Sequence, residues 1–303
     1  MIAEMYQVKR ISHSEFVPIR NLQYHVQVWG EPAPDKTPLV IVHGWMDVAA
    51  SYQFVVDALS IEHYVIAPDW RGYGQTASGG VDNFWFPDYL ADLDFLLDHY
   101  APHSQVNLVG HSMGGNVAML YAGVRPERIR RLVNLEGFGL PATTPDEAPG
   151  RYAHWMDDLK KLHRGEMSLK AYDTLDGVAR RLMKTNPRLG ADKANWLAQH
   201  WAQQNAQGQW AILGDPAHKV SHAQLYRVEE VQAIYARINM PVLMVEASDD
   251  SMTQWWKGKF TLAEHHERLQ VVPQLEIARI DDAGHMLHHD QPQALAELIE
   301  RFL

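Results

Sequence analysis

The chain has 303 residues, 46% of them apolar and 21% charged, with no cysteine and a formal net charge of -10. That length buries a large core in one α/β domain, with or without an insertion, and the composition excludes a disordered chain. The missing cysteines exclude a disulfide framework, a thiolate nucleophile and Cys-ligated zinc, and the acidic balance argues against nucleic acid or an anionic membrane surface as the main partner.

The first stretch, MIAEMYQVKRISHSEF, lacks the basic, apolar and small-residue order of a secretion signal. No apolar run is long enough to span a bilayer, so a cytoplasmic protein without membrane insertion is expected. NLQYHVQVWG alternates apolar and polar residues from Leu22 to Trp29 and reads as a half-buried strand near a sheet edge. PLVIVHG, HYVIAPDW, QVNLVGHS, RRLVNLEG and MPVLMVEASDD are short apolar runs that stop at Gly, Asp or Ser, the pattern of central parallel strands buried on both faces. Helical periodicity lies between them, in AASYQFVVDALS, FPDYLADLDFLLDHY, GNVAMLYAGVRPERI and TQWWKGKFTLAEHHERLQ. LEIARI is the last strand, followed by the helix QPQALAELIERFL with Pro292 in its first turn. Alternation of this kind predicts an α/β fold: a doubly wound, mostly parallel sheet with right-handed crossovers.

The alternation stops between Leu140 and Ile238, where a Pro-rich linker leads into helical segments without a buried strand. Residues 140–238 therefore read as a helical cap inserted into a core made of 1–139 and 239–303. The basic residues Arg180, Arg181, Lys184, Arg188 and Lys193 are read as a solvated cap face, with an anionic ligand as the alternative. Trp155, Met156, Trp196, Trp201 and Trp210 either line an apolar substrate pocket or form the cap's own core and its contact with the main domain.

VNLVGHSMGGNVAMLYA carries the chemistry. A serine hydroxyl needs a base to take its proton and a fold that holds it in the open. A sharp strand-to-helix turn does the second, and its arms leave room only for small residues two positions either side, where Gly110 and Gly114 flank Ser112. Such a turn also aims the Met113 N–H at a bound carbonyl. The alternative is a glycine-rich turn in which Ser112 merely caps the helix. A second N–H donor is expected from Trp45, after the His43-Gly44 strand end, with His43 a turn residue bonding backbone. His285, between the last strand and last helix, is the candidate base, with His288 and His289 as surface or capping residues. A metal site from these three histidines lacks a carboxylate partner, so neither metal nor cofactor is expected. Two acids stay open: Asp250 at the end of MPVLMVEASDD, the first choice, and Glu136 at the tip of RRLVNLEG.

Together these segments resemble the α/β-hydrolase superfamily over essentially the whole chain. HGWMD looks like its oxyanion loop with Gly44, APDWRGYGQT its following strand and loop, GHSMGG its nucleophile elbow and DDAGHMLHHDQP its histidine loop. DWRGYGQT is similar to epoxide hydrolases and haloalkane dehalogenases, which carry aspartate at the elbow; Ser112 points instead to the serine branch. Ala247-Ser248-Asp249-Asp250 departs from the common acid loop, and dehalogenase relatives carry their acid at the tip of the earlier strand, which keeps Glu136 in play. The resemblance implies a serine carboxylesterase acting on small to medium apolar esters, as a monomer or homodimer. A carbon–carbon bond hydrolase of ring-cleavage products and a non-catalytic small-ligand receptor are the alternatives.

Overall fold

Five apolar runs become the central strands of one sheet. In chain order its strands are β1 (Ser12–Ile19), β2 (Leu22–Trp29), β3 (Leu39–Val42), β4 (Val65–Pro68), β5 (Val106–His111), β6 (Ile129–Leu135), β10 (Val242–Ala247) and β11 (Leu275–Ile280), while β7 to β9 form a separate small sheet described below. This computed structural model describes residues 5–34 and 36–303; residues 1–4, the start of the stretch read for a secretion signal, lie outside the described residues. The spatial order is β1-β2-β4-β3-β5-β6-β10-β11. β1 and β2 pair antiparallel, as do β2 and β4, and every pair from β4 to β11 is parallel.

Side chains alternate between the two faces with period two. Val40, Val42, Leu108, Leu132, Val242 and Met244 point to one face, covered by α2 (Pro87–Tyr100), α3 (Met113–Val124), α7 (Val228–Tyr235) and α9 (Leu262–Leu269). Leu39, Ile41, Val109, Val133, Leu243 and Val245 point to the other, covered by α1 (Gln53–Ala58), α10 (Leu287–Asp290) and α11 (Pro292–Phe302). Burial on both faces is why these strands read as continuous apolar runs rather than as alternation.

Three local expectations need correction. β2 does lie near the sheet edge, one strand in, but it is not half-buried: seven of its eight positions are buried, because β1, whose SHSEFVPI buries only Val17 and Ile19, forms the edge itself. The helix expected over TQWWKGKFTLAEHHERLQ is two, α8 (Ser251–Trp256) and α9, because Lys257 and Gly258 both take positive φ and end the first. The segment between β6 and β10 is not purely helical. Besides α4 (Ala148–His163), α5 (Leu175–Thr185), α6 (Ala191–Trp201) and α7, it holds a three-stranded antiparallel sheet of β7 (Ala171–Tyr172), β8 (Ala202–Gln204) and β9 (Trp210–Ile212). α6 stops at Trp201 because the next residues enter a hairpin: Asn205 Oδ1 accepts the N–H groups of Gln207 and Gln209, and Gly208 supplies φ 75°. No helix among the described residues is long and apolar enough to cross a membrane.

Candidate active site

β5 ends at His111 and α3 begins at Met113, so the chain turns on one residue. Ser112 sits at φ 53°, ψ -115°, a conformation that costs a non-glycine residue roughly 1–3 kcal/mol and persists only where its surroundings enforce it. The enforcement is visible. The Ser112 N–H donates to Leu135 O on β6 (2.8 Å), and the Ser112 carbonyl accepts from Asn116 N–H (3.0 Å). A Cβ on Gly110 would lie 2.4 Å from the Gly114 carbonyl oxygen, and one on Gly114 would lie 2.4 Å from that of Val42. Both obstacles are backbone, so neither can step aside. Gly114→Ala is expected to lower stability by about 3 kcal/mol in urea denaturation, because the strand-to-helix contact must open; an unchanged midpoint would contradict the packing described.

The Ser112 hydroxyl does not cap α3, which removes the capping alternative. Its side chain is half-buried and the elbow holds it beside the loop after β3, where a Cβ on Gly44 would come within 3.0 Å of Ser112 Cβ. That loop carries Trp45, whose ring is exposed and whose Nε1 donates to His218 O at 3.4 Å. Met113 N–H opens the first turn of α3, where helix geometry leaves amide donors without intrahelical acceptors. His43 is a backbone-bonding turn residue: Nδ1 donates to Gly44 O (2.8 Å) and Nε2 accepts from Trp70 N–H (2.9 Å). With both nitrogens engaged in that way, its neutral tautomer is defined, and burial lowers its pKa further below the ordinary histidine value.

The acid facing His285 is Glu136, not Asp250. β6 lies between β5 and β10, with Leu135 opposite both His111 and Val245, so Glu136 emerges at the tip next to Ser112. Its φ of 55° is imposed by Asn134, whose side chain accepts from Gly137 N–H and donates to Gly137 O, both at 2.9 Å. One Glu136 oxygen accepts from Ala247 N–H on β10 (2.7 Å); the other accepts from His285 Nδ1 (3.3 Å). Asp250 instead caps α8, its carboxylate accepting from Thr253 N–H (2.8 Å) and Thr253 Oγ1 (2.6 Å). Asp249 is taken by Arg188 at 2.7 Å. Among the described residues, no hydrogen bond joins the Ser112 hydroxyl to His285, a link that commonly tightens only when substrate is bound.

Burial holds the His285 imidazole below its ordinary pKa of 6.5, against the opposing pull of the Glu136 carboxylate. A base must be neutral to accept a proton. The acid limb of kcat/KM is therefore expected to be centred below pH 6.5; a limb centred above it would contradict the burial argument.

The aromatic candidates divide. Trp196 is 9% exposed and packs with Phe54, Val48 and Leu197, and Trp201 and Trp210 pack against the same cluster, so these three join the inserted segment to the core. Trp155 lines a cleft of about 200 Å³ with Trp85, Tyr152 and His222, and donates to Asn83 Oδ1 at 3.3 Å. Met156 is 48% exposed. Of the basic residues, Arg180 pairs with Asp176, Arg188 with Asp249 and Asp282, and Lys193 donates to His289 O at 2.9 Å, so the solvated-face reading understates how far Arg188 and Lys193 tie the segment to the core.

Sequence reasoning missed three neighbours. Trp255 sets its ring edge against His285, with centroids 4.1 Å apart, and nothing in QWWKGK distinguishes it from a surface tryptophan. His111 donates through Nε2 to His285 O at 2.7 Å, joining the neighbour of Ser112 to the backbone of His285. Asn134 did carry a signal: a polar residue in a buried apolar run must find partners.

The elbow, the acid at the adjacent tip and the late histidine loop define the class. The family model for the alpha/beta hydrolase fold matches residues 37–292, and the chain belongs to that family. It is 24% identical over 304 residues to a serine hydrolase-like protein of Danio rerio, covering 97% of this chain and 89% of that one. Over 165 residues it is 30% identical to the 2-hydroxy-6-oxo-2,4-heptadienoate hydrolase of Pseudomonas putida, covering 52% of this chain and 58% of that one. Among solved structures it is similar to the thioesterase domain from the curacin biosynthetic pathway, with a TM-score of 0.81 and 22% identity over 96% of this chain and 99% of that one.

Proposed function

We propose that the protein is a serine carboxylesterase that hydrolyses small to medium apolar esters through an acyl-enzyme on Ser112. The observation that carries this reading is the 3.3 Å contact of His285 Nδ1 with a buried glutamate at the strand tip next to the nucleophile. Held by that carboxylate, the imidazole keeps its proton on Nδ1 and leaves Nε2 as the base. His285 takes the Ser112 proton as Oγ attacks the ester carbonyl, and the Met113 and Trp45 N–H groups stabilise the oxyanion. The imidazolium then protonates the leaving alcohol. In the second half, water gives a proton to His285 and attacks the acyl-enzyme, and the carboxylic acid leaves with Ser112 regenerated.

In this reading the segment over 140–238 acts as the cap of the site. A carbon–carbon bond hydrolase of ring-cleavage products would need a basic side chain beside Ser112 for an anionic substrate. Arg180 and Arg188 are engaged with Asp176, Asp249 and Asp282, which favours the ester reading. Turnover of p-nitrophenyl acetate, butyrate and octanoate tests it. Hydrolysis that vanishes in Ser112→Ala supports the reading, and the chain-length profile sizes the pocket. Binding of these esters without turnover would favour a small-ligand receptor.

A further inference from the structure

The loop after Gly44 and the turn after His285 meet in a cluster that ester hydrolysis does not use. Asp47, His288 and His289 are 2%, 0% and 3% exposed, and their carboxylate and imidazole atoms lie within 4.8 Å of one another. One Asp47 oxygen is occupied, accepting from Val48 N–H at 2.9 Å and from the Ser51 hydroxyl. The other, Oδ2, lies 3.3 Å from His288 Nε2, close enough for an ion pair but not aligned as a hydrogen bond. Among the described residues, Asp47 Oδ2, both nitrogens of His288 and Nε2 of His289 have no hydrogen-bond partner. Buried polar atoms are almost always satisfied, so a group of them converging on one place calls for a missing occupant.

The surroundings hold these side chains in position. His288 stacks on Tyr52 with centroids 5.1 Å apart, His289 meets the Phe54 ring at 5.7 Å, and Lys193 grips the His289 carbonyl. An oxygen and a nitrogen side by side at 3.3 Å are spaced as two ligands of one tetrahedral ion, given bonds of about 2.0–2.2 Å. Two imidazoles and a carboxylate suit zinc and its first-row neighbours rather than magnesium or calcium. The expected absence of a metal rested on the missing carboxylate, and Asp47 brings one from a loop far away in sequence.

We propose that Asp47, His288 and His289 bind one first-row transition-metal dication, zinc by preference, which ties the loop after Gly44 to the histidine loop. His111 lies beside the cluster, its ring centroid 4.4 Å from that of His288, but it is not one of the three side chains whose ligand atoms converge, so the fourth position falls to a water molecule. Through its bond to His285 O, His111 also connects the cluster to the proposed base.

The test is metal binding, read without any activity assay. Chelator-treated full-length protein is titrated with Co²⁺, followed by visible absorption, and then with Zn²⁺. We expect one Co²⁺ per chain with the intense bands of a tetrahedral site, displaced by Zn²⁺, and a higher Tm with Zn²⁺ than without. His289→Gln and Asp47→Asn should each weaken binding by at least about tenfold, while His154→Gln, at an exposed histidine, leaves it unchanged. Should either ligand variant fold poorly, the wild-type spectrum still decides. Absent or octahedral Co²⁺ bands, or binding that survives both ligand variants, would overturn the proposal and leave buried water as the account; in either case His288 and His289 are not the surface or capping residues expected from the sequence, because both are buried between the two loops.

Discussion

Ser112→Ala is expected to lower kcat for any ester the wild type hydrolyses by about 10⁴-fold or more, with the fold and Tm essentially unchanged. Both halves follow from the same turn. The hydroxyl is the only part of the side chain the proposed chemistry uses, and it contributes nothing to capping α3. Alanine meets the same positive-φ strain as serine, so the elbow stays bent by Gly110, Gly114 and the Ser112 N–H bond to Leu135. A variant that kept its esterase activity would move the nucleophile elsewhere. One that lost activity together with several degrees of Tm would indicate a structural role instead.

The second large effect separates the two acids. Glu136→Gln is expected to reduce kcat by about 10³- to 10⁴-fold, because an amide facing Nδ1 no longer fixes the tautomer or stabilises the imidazolium. Asp250→Asn is expected to change kcat by less than about threefold and stability by less than about 1 kcal/mol, since asparagine caps a helix nearly as well as aspartate. Parallel kinetics and urea denaturation on both variants check this. The reverse pattern, with Asp250 needed and Glu136 dispensable, would contradict the pairing seen at the strand tips.

Most of the fold is legible because its strands are buried on both faces. Runs such as LVIV and VLMVEA have no amphipathic alternative, and each stops where a loop starts. β1 was invisible for the opposite reason: as an edge it buries only Val17 and Ile19, and SHSEFVPI shows no regular alternation. The hairpin of β8 and β9 hid behind a helical pattern that stops at Trp201, its signal being Asn205 and Gly208 three residues apart.

The site was legible in proportion to how local it is. Gly110, Ser112 and Gly114 constrain one another within five residues, so the elbow can be read directly. The acid depends on which strand tips are neighbours. Asp249 and Asp250 look suitable because they end a buried strand, yet Asp250 turns to Thr253 and Asp249 to Arg188, contacts that no pattern in MPVLMVEASDD announces. Glu136 becomes the partner of His285 only because β10 supplies Ala247 N–H to hold its other oxygen. The cluster of Asp47 with His288 and His289 is still less local, since its members are separated by most of the chain.

The most direct test of the central claim is to label the wild type with a fluorophosphonate probe and locate the adduct by peptide mass spectrometry. A competing line of groups makes the location decisive: His25 contacts Ser14 Oγ at 2.9 Å and Asp69 at 2.7 Å, a hydroxyl, imidazole and carboxylate in sequence on the sheet edge. The account predicts one adduct per chain on the peptide containing Ser112, formed far more slowly in Glu136→Gln and at the wild-type rate in Asp250→Asn. Labelling at Ser14, or no labelling of a folded wild type, would contradict it.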